Sequence, residues 1–86
     1  MHRVVLFSRP GCHLCEVARE AVLRVRTAAP FAFEEVDIET DDELVRELGL
    51  RIPVLAVDGV EVFEIEVDEP ALLGLVRGPL APDAPR

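Results

Sequence analysis

The sequence predicts an α/β domain in which a mixed four-stranded sheet is flanked by three helices. The expected order is strand, helix, strand, helix, strand, strand, helix. Three observations lead there. The chain opens with an apolar run, Val4-Val5-Leu6-Phe7, and passes directly into a stretch of helical periodicity. A second strand-and-helix pair follows, with its own start and stop signals. Asp58-Gly59 then stands between two strand-like runs, the strongest short-range sign of a hairpin. With 86 residues there is room for one small core, and because the aromatic residues are four Phe, that core must be mainly aliphatic.

The run from Val4 to Phe7 is rich in strand formers and uninterrupted, as expected of a central strand covered on both faces. From Cys12 to Ala28, the residues Leu14, Val17, Ala18, Ala21, Val22 and Val25 repeat at helical spacing. Arg24 and Arg26 near the end suit the helix dipole, and Pro30 stops the helix. "FAFEEVDIE" reads as a second strand, and "TDDELVRELG" as a short helix opened by a capping box of Thr40 and Glu43 and closed by Gly49. A crossover through the first helix makes the first two strands parallel neighbours. "PVLAV" and "VEVFEIEV" form the hairpin, with a bulge or strand end where the alternation slips between Val62 and Phe63. "DEPALLGLVRG" closes the fold as a helix capped by Asp68, with Pro70 in its first turn and Gly78 past its end. The domain is thus expected to span residues 1–77, with 78–86, "GPLAPDAPR", as a flexible Pro-rich tail.

Seventeen acidic residues against nine arginines give a net charge of -8, which repels nucleic acid and anionic membranes. The acidic stretch from Glu34 to Glu43 reads as solvated surface with helix capping, or as a docking patch for a basic partner. The first apolar run is too short for a signal peptide or a membrane span, so a cytoplasmic location is expected. In a reducing compartment a lone, closely spaced cysteine pair makes a poor structural staple.

Cys12 and Cys15 fall where the first strand gives way to the first helix, behind Pro10 and Gly11, which bend the chain and present Cys12 at the surface. Backbone N–H groups at a helix start favour a thiolate. An ordinary thiol with a pKa of about 8.5 is only ~3 per cent ionised at pH 7, so such help decides reactivity. Cys15 lies one turn on, close enough to resolve a mixed disulfide formed at Cys12. Two other uses of these thiols stay open. One is a soft-metal carrier for Cu(I), or for zinc with His2 and His13 added, although His13 projects about 100° from Cys12 on a helix. The other is a redox-inert adaptor. No metal or cofactor is required by the redox reading, and His13, between the cysteines, is expected to modulate the pair.

"FSRPGCHLC" after a strand, with "RIPVLAVDG" before a hairpin, resembles the glutaredoxin branch of the thioredoxin superfamily over about Arg3 to Val76. The resemblance implies a thioredoxin/glutaredoxin fold and a thiol-disulfide oxidoreductase. It implies a cis Ile52-Pro53 bond facing the cysteines, with the backbone before the proline gripping an extended partner chain. It also sets Arg9 at a position that meets a glutathione carboxylate. The family's Gly-Gly pair after the last strand corresponds to Phe63 and Glu64 here, whose bulk and charge oppose glutathione. The Trp that precedes the cysteines in thioredoxins is absent. Expected substrates are therefore a protein disulfide or a low-molecular-weight mixed disulfide, handled by a monomer.

Overall fold

A computed structural model describes residues 1–79. Within them the chain runs β1 (Arg3–Ser8), α1 (His13–Ala28), β2 (Ala32–Asp37), a 3-10 turn (Ile38–Thr40), α2 (Asp42–Leu48), β3 (Val54–Val57), β4 (Val60–Glu64) and α3 (Glu69–Arg77). The strand order is β2-β1-β3-β4, with β1 parallel to β2 and antiparallel to β3, and β3 antiparallel to β4. β1 is thus interior, as its apolar run predicts. Its two faces differ, however: Val4 and Leu6 are fully buried, while Val5 and Phe7 are half-buried.

The main core lies on the Val4/Leu6 face, where Ala18, Val22 and Val25 of α1 and Leu72 and Val76 of α3 pack over the sheet with Phe31 and Leu55. A smaller cluster on the other face gathers Ile38, Leu48 and Val54, with Phe7, Leu44 and Ile52 against it. This second layer is thinner, which leaves Phe7 partly open.

The hairpin turns at Asp58 and Gly59, both with positive φ (53° and 85°), as a two-residue turn matched to strand twist requires. Leu55 pairs with Phe63 but the next residue, Ala56, pairs with Glu61, so Val62 is the extra residue of a bulge at the expected slip. Asp68 caps α3 by accepting from the Ala71 N–H, and Gly78 ends it. Leu80 onward in the proposed tail lies outside the described residues.

One cap differs from expectation. Thr40 does not open α2; its hydroxyl donates to the Asp37 carbonyl inside the 3-10 turn, and Asp41 caps the helix by accepting from the Glu43 N–H at 2.9 Å. Asp37 has already capped the 3-10 turn through the Glu39 N–H, which moves the next helix start one residue on. Gly49 closes α2 in ordinary helical conformation, where a Cβ would meet the Val45 carbonyl oxygen at 2.5 Å.

At the β1 start, buried His2 ties three elements together. Its Nδ1 lies 2.6 Å from Asp58 Oδ2 and its Nε2 lies 2.5 Å from the Gly78 carbonyl oxygen. Two acceptors on two ring nitrogens call for the doubly protonated ring. The Gly78 carbonyl and then Asp58 accordingly raise the His2 pKa against the opposing effect of burial, with the Met1 amine also working against protonation. Burial pushes Asp58 upward, but the Arg3 N–H and His2 outweigh it and hold the carboxyl below its ordinary value.

The linkage follows from these signs. The His2 contribution is whole below the ordinary histidine pKa of about 6.5 and is lost as pH rises through the elevated folded value. The Asp58 contribution is present above about pH 4 and is lost on acidification through its depressed folded value. Urea unfolding is expected to show stability falling as pH rises above about 6.5 and through the raised His2 value, and His2→Gln should remove most of that slope while costing about 1–3 kcal/mol at the acidic end. Parallel pH profiles for the two proteins would mean that the clamp contributes nothing.

Candidate active site

β1 ends at Ser8 and the chain turns through Arg9, Pro10 and Gly11 into α1. Gly11 takes φ +76°, a backbone that residues with a side chain rarely adopt, and the reversal delivers Cys12 to the N-cap of α1. There the Cys12 sulfur accepts a hydrogen bond from the Cys15 N–H at 3.1 Å. Cys12 and Cys15 are joined as a disulfide with Cα atoms 5.2 Å apart. Their surroundings differ sharply: Cys12 is half-buried, whereas Cys15 is 1% exposed. An incoming group therefore meets one sulfur first.

The sheet register brings the second motif to the same edge. Phe7 pairs with Val54, so Pro53 stands beside the end of β1, and the Ile52-Pro53 bond is cis, as the resemblance implies. Pro53 is buried, Ile52 half-buried, and the amide N–H and carbonyl of Ile52 make no backbone hydrogen bond among the described residues. They are available to a strand laid alongside.

The other candidates are placed as follows. Arg9 lies at this edge, but its guanidinium Nε and Nη2 both donate to Glu39, at 3.1 and 2.9 Å. His13 occupies the first turn of α1, exposed between the two cysteines. His2 is at the opposite end of β1, about 20 Å away for six residues of strand, and is already bound to Asp58 and Gly78. The four-ligand zinc set of Cys12, Cys15, His2 and His13 is therefore not assembled. Among the described residues no group of three or more His, Cys, Asp or Glu is placed to hold a metal ion.

Phe63 and Glu64, which the resemblance sets against the Gly-Gly pair, end β4. The residues that follow the strand are Ile65 and Glu66. Ile65 has φ +71°, while the Glu66 N–H donates to the Glu64 carbonyl at 2.8 Å and the Ile65 N–H donates to the Pro53 carbonyl at 2.7 Å. This is a tight turn in a conformation suited to glycine, built with a β-branched residue. The turn after the strand thus adds further bulk and negative charge beside the Phe63 and Glu64 positions.

Leu14 and Val17 also depart from expectation. The buried stripe of α1 is Cys15, Ala18, Val22 and Val25, with Ala21 beside it, and Leu14 and Val17 flank it at 46% exposure each. They face Ile65, Glu66 and Val67 across a cleft of about 320 Å³. Periodicity alone drew the stripe too wide to reveal them. A further feature without a sequence signal is the pairing of Glu35 with Arg19 and the Ser8 hydroxyl beneath the β1–α1 corner. Arg19, and secondarily Ser8, hold Glu35 below the usual carboxylate range against the effect of burial.

This element order, with a disulfide at the first strand-to-helix junction and a cis-proline beside it, defines a protein of thioredoxin-like fold with a redox-type site. Solved structures agree. Protein Ne2328 of Nitrosomonas europaea matches with a TM-score of 0.76 at 25% identity, over 87% of this chain and 91% of that one. Protein XcR50 of X. campestris matches with a TM-score of 0.73 at 37% identity, over 88% and 99%. A mutant thioredoxin from Halobacterium salinarum matches with a TM-score of 0.66 at 25% identity, over 94% and 78%. The family model described as the glutaredoxin-like domain (DUF836) matches residues 3–76, and the chain belongs to that family. No curated protein sequence matches it. Among the described residues no helix is long and apolar enough to cross a membrane.

Proposed function

We propose that the protein is a cytoplasmic thiol-disulfide oxidoreductase that reduces protein disulfides, with Cys12 as nucleophile and Cys15 as resolving thiol. The carrying observation is the sulfur of half-buried Cys12 at a helix N-cap, accepting from the Cys15 N–H and bonded to a buried partner. In the reduced protein, the same N–H and the helix start favour a thiolate at that sulfur. The Cys12 thiolate attacks one sulfur of the substrate disulfide; a new S–S bond forms and the other substrate sulfur leaves as thiolate. Cys15, having lost its proton to solvent, then attacks Cys12 and expels the second substrate thiolate. Two electrons pass to the substrate, which becomes a dithiol, and the protein becomes the disulfide. A thiol or dithiol reductant reverses the sequence on the protein. Ile52 would pair with the substrate backbone beside Pro53, and His13 would border the exposed sulfur.

Glutathione fits less well than a polypeptide. Arg9 is engaged by Glu39, Arg51 by Glu61 and Glu64, and Arg24 by Glu69, so an anionic tripeptide would have to displace a carboxylate to reach a cation here. Ile65 and Glu66 add obstruction and repulsion. At low salt, a protein disulfide is expected to be reduced at least about fivefold faster than a glutathionylated peptide, since one unit charge at close range is worth ~1 kcal/mol in water. Faster deglutathionylation would reverse this assignment. Mass spectrometry of the oxidised and reduced chain, with a midpoint potential against a dithiol buffer, tests the activity itself. A protein that bound Cu(I) tightly and did not cycle between dithiol and disulfide would be a carrier instead.

A further inference from the structure

The cleft beside the disulfide has two walls of different origin. One is the start of α1, with Leu14 and Val17; the other is the turn of Ile65, Glu66 and Val67, tied to the cis-proline through the hydrogen bond from Ile65 N–H to the Pro53 carbonyl. Leu14 lies between the two cysteines and Ile65 is bonded to the proline that follows Ile52, so one wall begins at the cysteine segment and the other at the cis-proline. The wall at Ile65 is held at a backbone cost. A non-glycine residue at φ +71° is unfavourable by about 1–2 kcal/mol, yet the turn holds a branched apolar side chain at the groove, 40% exposed. Strain retained at such a place points to use.

Charge narrows the occupant. At the far end of the groove Arg24 is engaged by Glu69, at 3.2 and 2.7 Å. Glu66 is exposed and has no ion-pair partner among the described residues. The groove thus offers apolar contact together with one uncompensated carboxylate, in a chain of net charge -8.

We propose that this groove selects its partner: a polypeptide with an apolar residue and a lysine or arginine flanking its reactive cysteine, the apolar side chain lying between Leu14, Val17 and Ile65 and the cation meeting Glu66. The assignment rests on the exchange reading above, since that reading brings a partner cysteine to Cys12. At about 320 Å³ the groove is at the small end of ligand pockets, suited to one or two side chains. The partner backbone would run past Ile52 as an added strand, fixing which side chain enters.

The test uses two redox-inert peptides, Ala-Leu-Ser-Lys-Ala and Ala-Leu-Ser-Glu-Ala, titrated into the full oxidised chain and followed by methyl NMR at low salt. The lysine peptide should bind at least about fivefold more tightly, a difference that added salt erodes. Shifts should centre on Leu14, Val17 and Ile65. Glu66→Gln should abolish the preference and Glu66→Lys should invert it, while Val17→Ser and Ile65→Gly should weaken both peptides. Equal affinities, an unchanged order in Glu66→Lys, or shifts centred elsewhere would overturn the proposal. Disulfide-linked versions of the same peptides, with cysteine in place of the serine, separate the two readings. Discrimination in binding without any exchange would keep the groove and remove the redox function; exchange with no discrimination in binding would do the reverse.

Discussion

Cys12→Ser is expected to reduce disulfide exchange to the uncatalysed background, whereas Cys15→Ser should still attack but stall as a stable mixed disulfide at Cys12. The asymmetry follows from exposure. Cys12 is half-buried at the rim, and Cys15 is buried beneath it. Serine at the first position removes the one sulfur that a large partner can touch. An alcohol is not meaningfully ionised at neutral pH, so no comparable nucleophile replaces it. Serine at the second position leaves that nucleophile in place and removes the group that would release the product. Intact-mass measurement after incubation with a protein disulfide distinguishes the variants: no adduct for the first, one stoichiometric adduct for the second. The trapped adduct also permits the natural partner to be recovered and sequenced. Undiminished activity in both variants would eliminate the oxidoreductase reading.

The largest effect on stability is expected from Leu6→Ala. Leu6 is fully buried in interior strand β1, within the cluster formed with α1 and α3. Removing its side chain loses burial and leaves a cavity, together costing about 2–5 kcal/mol. Domains hold roughly 0.05–0.15 kcal/mol of stability per residue, so for a chain this small the loss takes a large share of the whole. Chemical denaturation should show a lower midpoint with little change in slope. A shift below about 1 kcal/mol would mean that the neighbouring side chains close the gap.

Most of the fold could be read from the chain because its local signals agree with the tertiary arrangement. The apolar run at Val4 to Phe7, the Asp58-Gly59 turn, the slip at Val62 and the Asp68 cap each have one structural solution. The cysteine pair and the proline motif likewise lie at one sheet edge because register and topology leave them no alternative. Legibility ended where tertiary context chose between near-equivalent options. Thr40 and Asp41 are both competent caps, and the 3-10 turn ahead of them determined which one served. Leu14 and Val17 fit a helical stripe as well as Ala18 and Val22 do, but the sheet covers only part of that arc. The turn at Ile65 breaks the usual preference for glycine, so no residue preference could have announced it. That violation falls at the candidate site, where local rules are most often overridden.

In the proposed exchange, the contrast between a half-buried Cys12 and a buried Cys15 would also govern traffic in the regenerating direction. If the proposed exchange holds, a reductant approaching the closed ring would meet the Cys12 sulfur, and regeneration would pass through a single covalent adduct rather than a mixture of two regioisomers. Dead-end species bearing cargo on the inner thiol would be disfavoured by its burial, and a bulky alkylating probe should label the open form once per molecule.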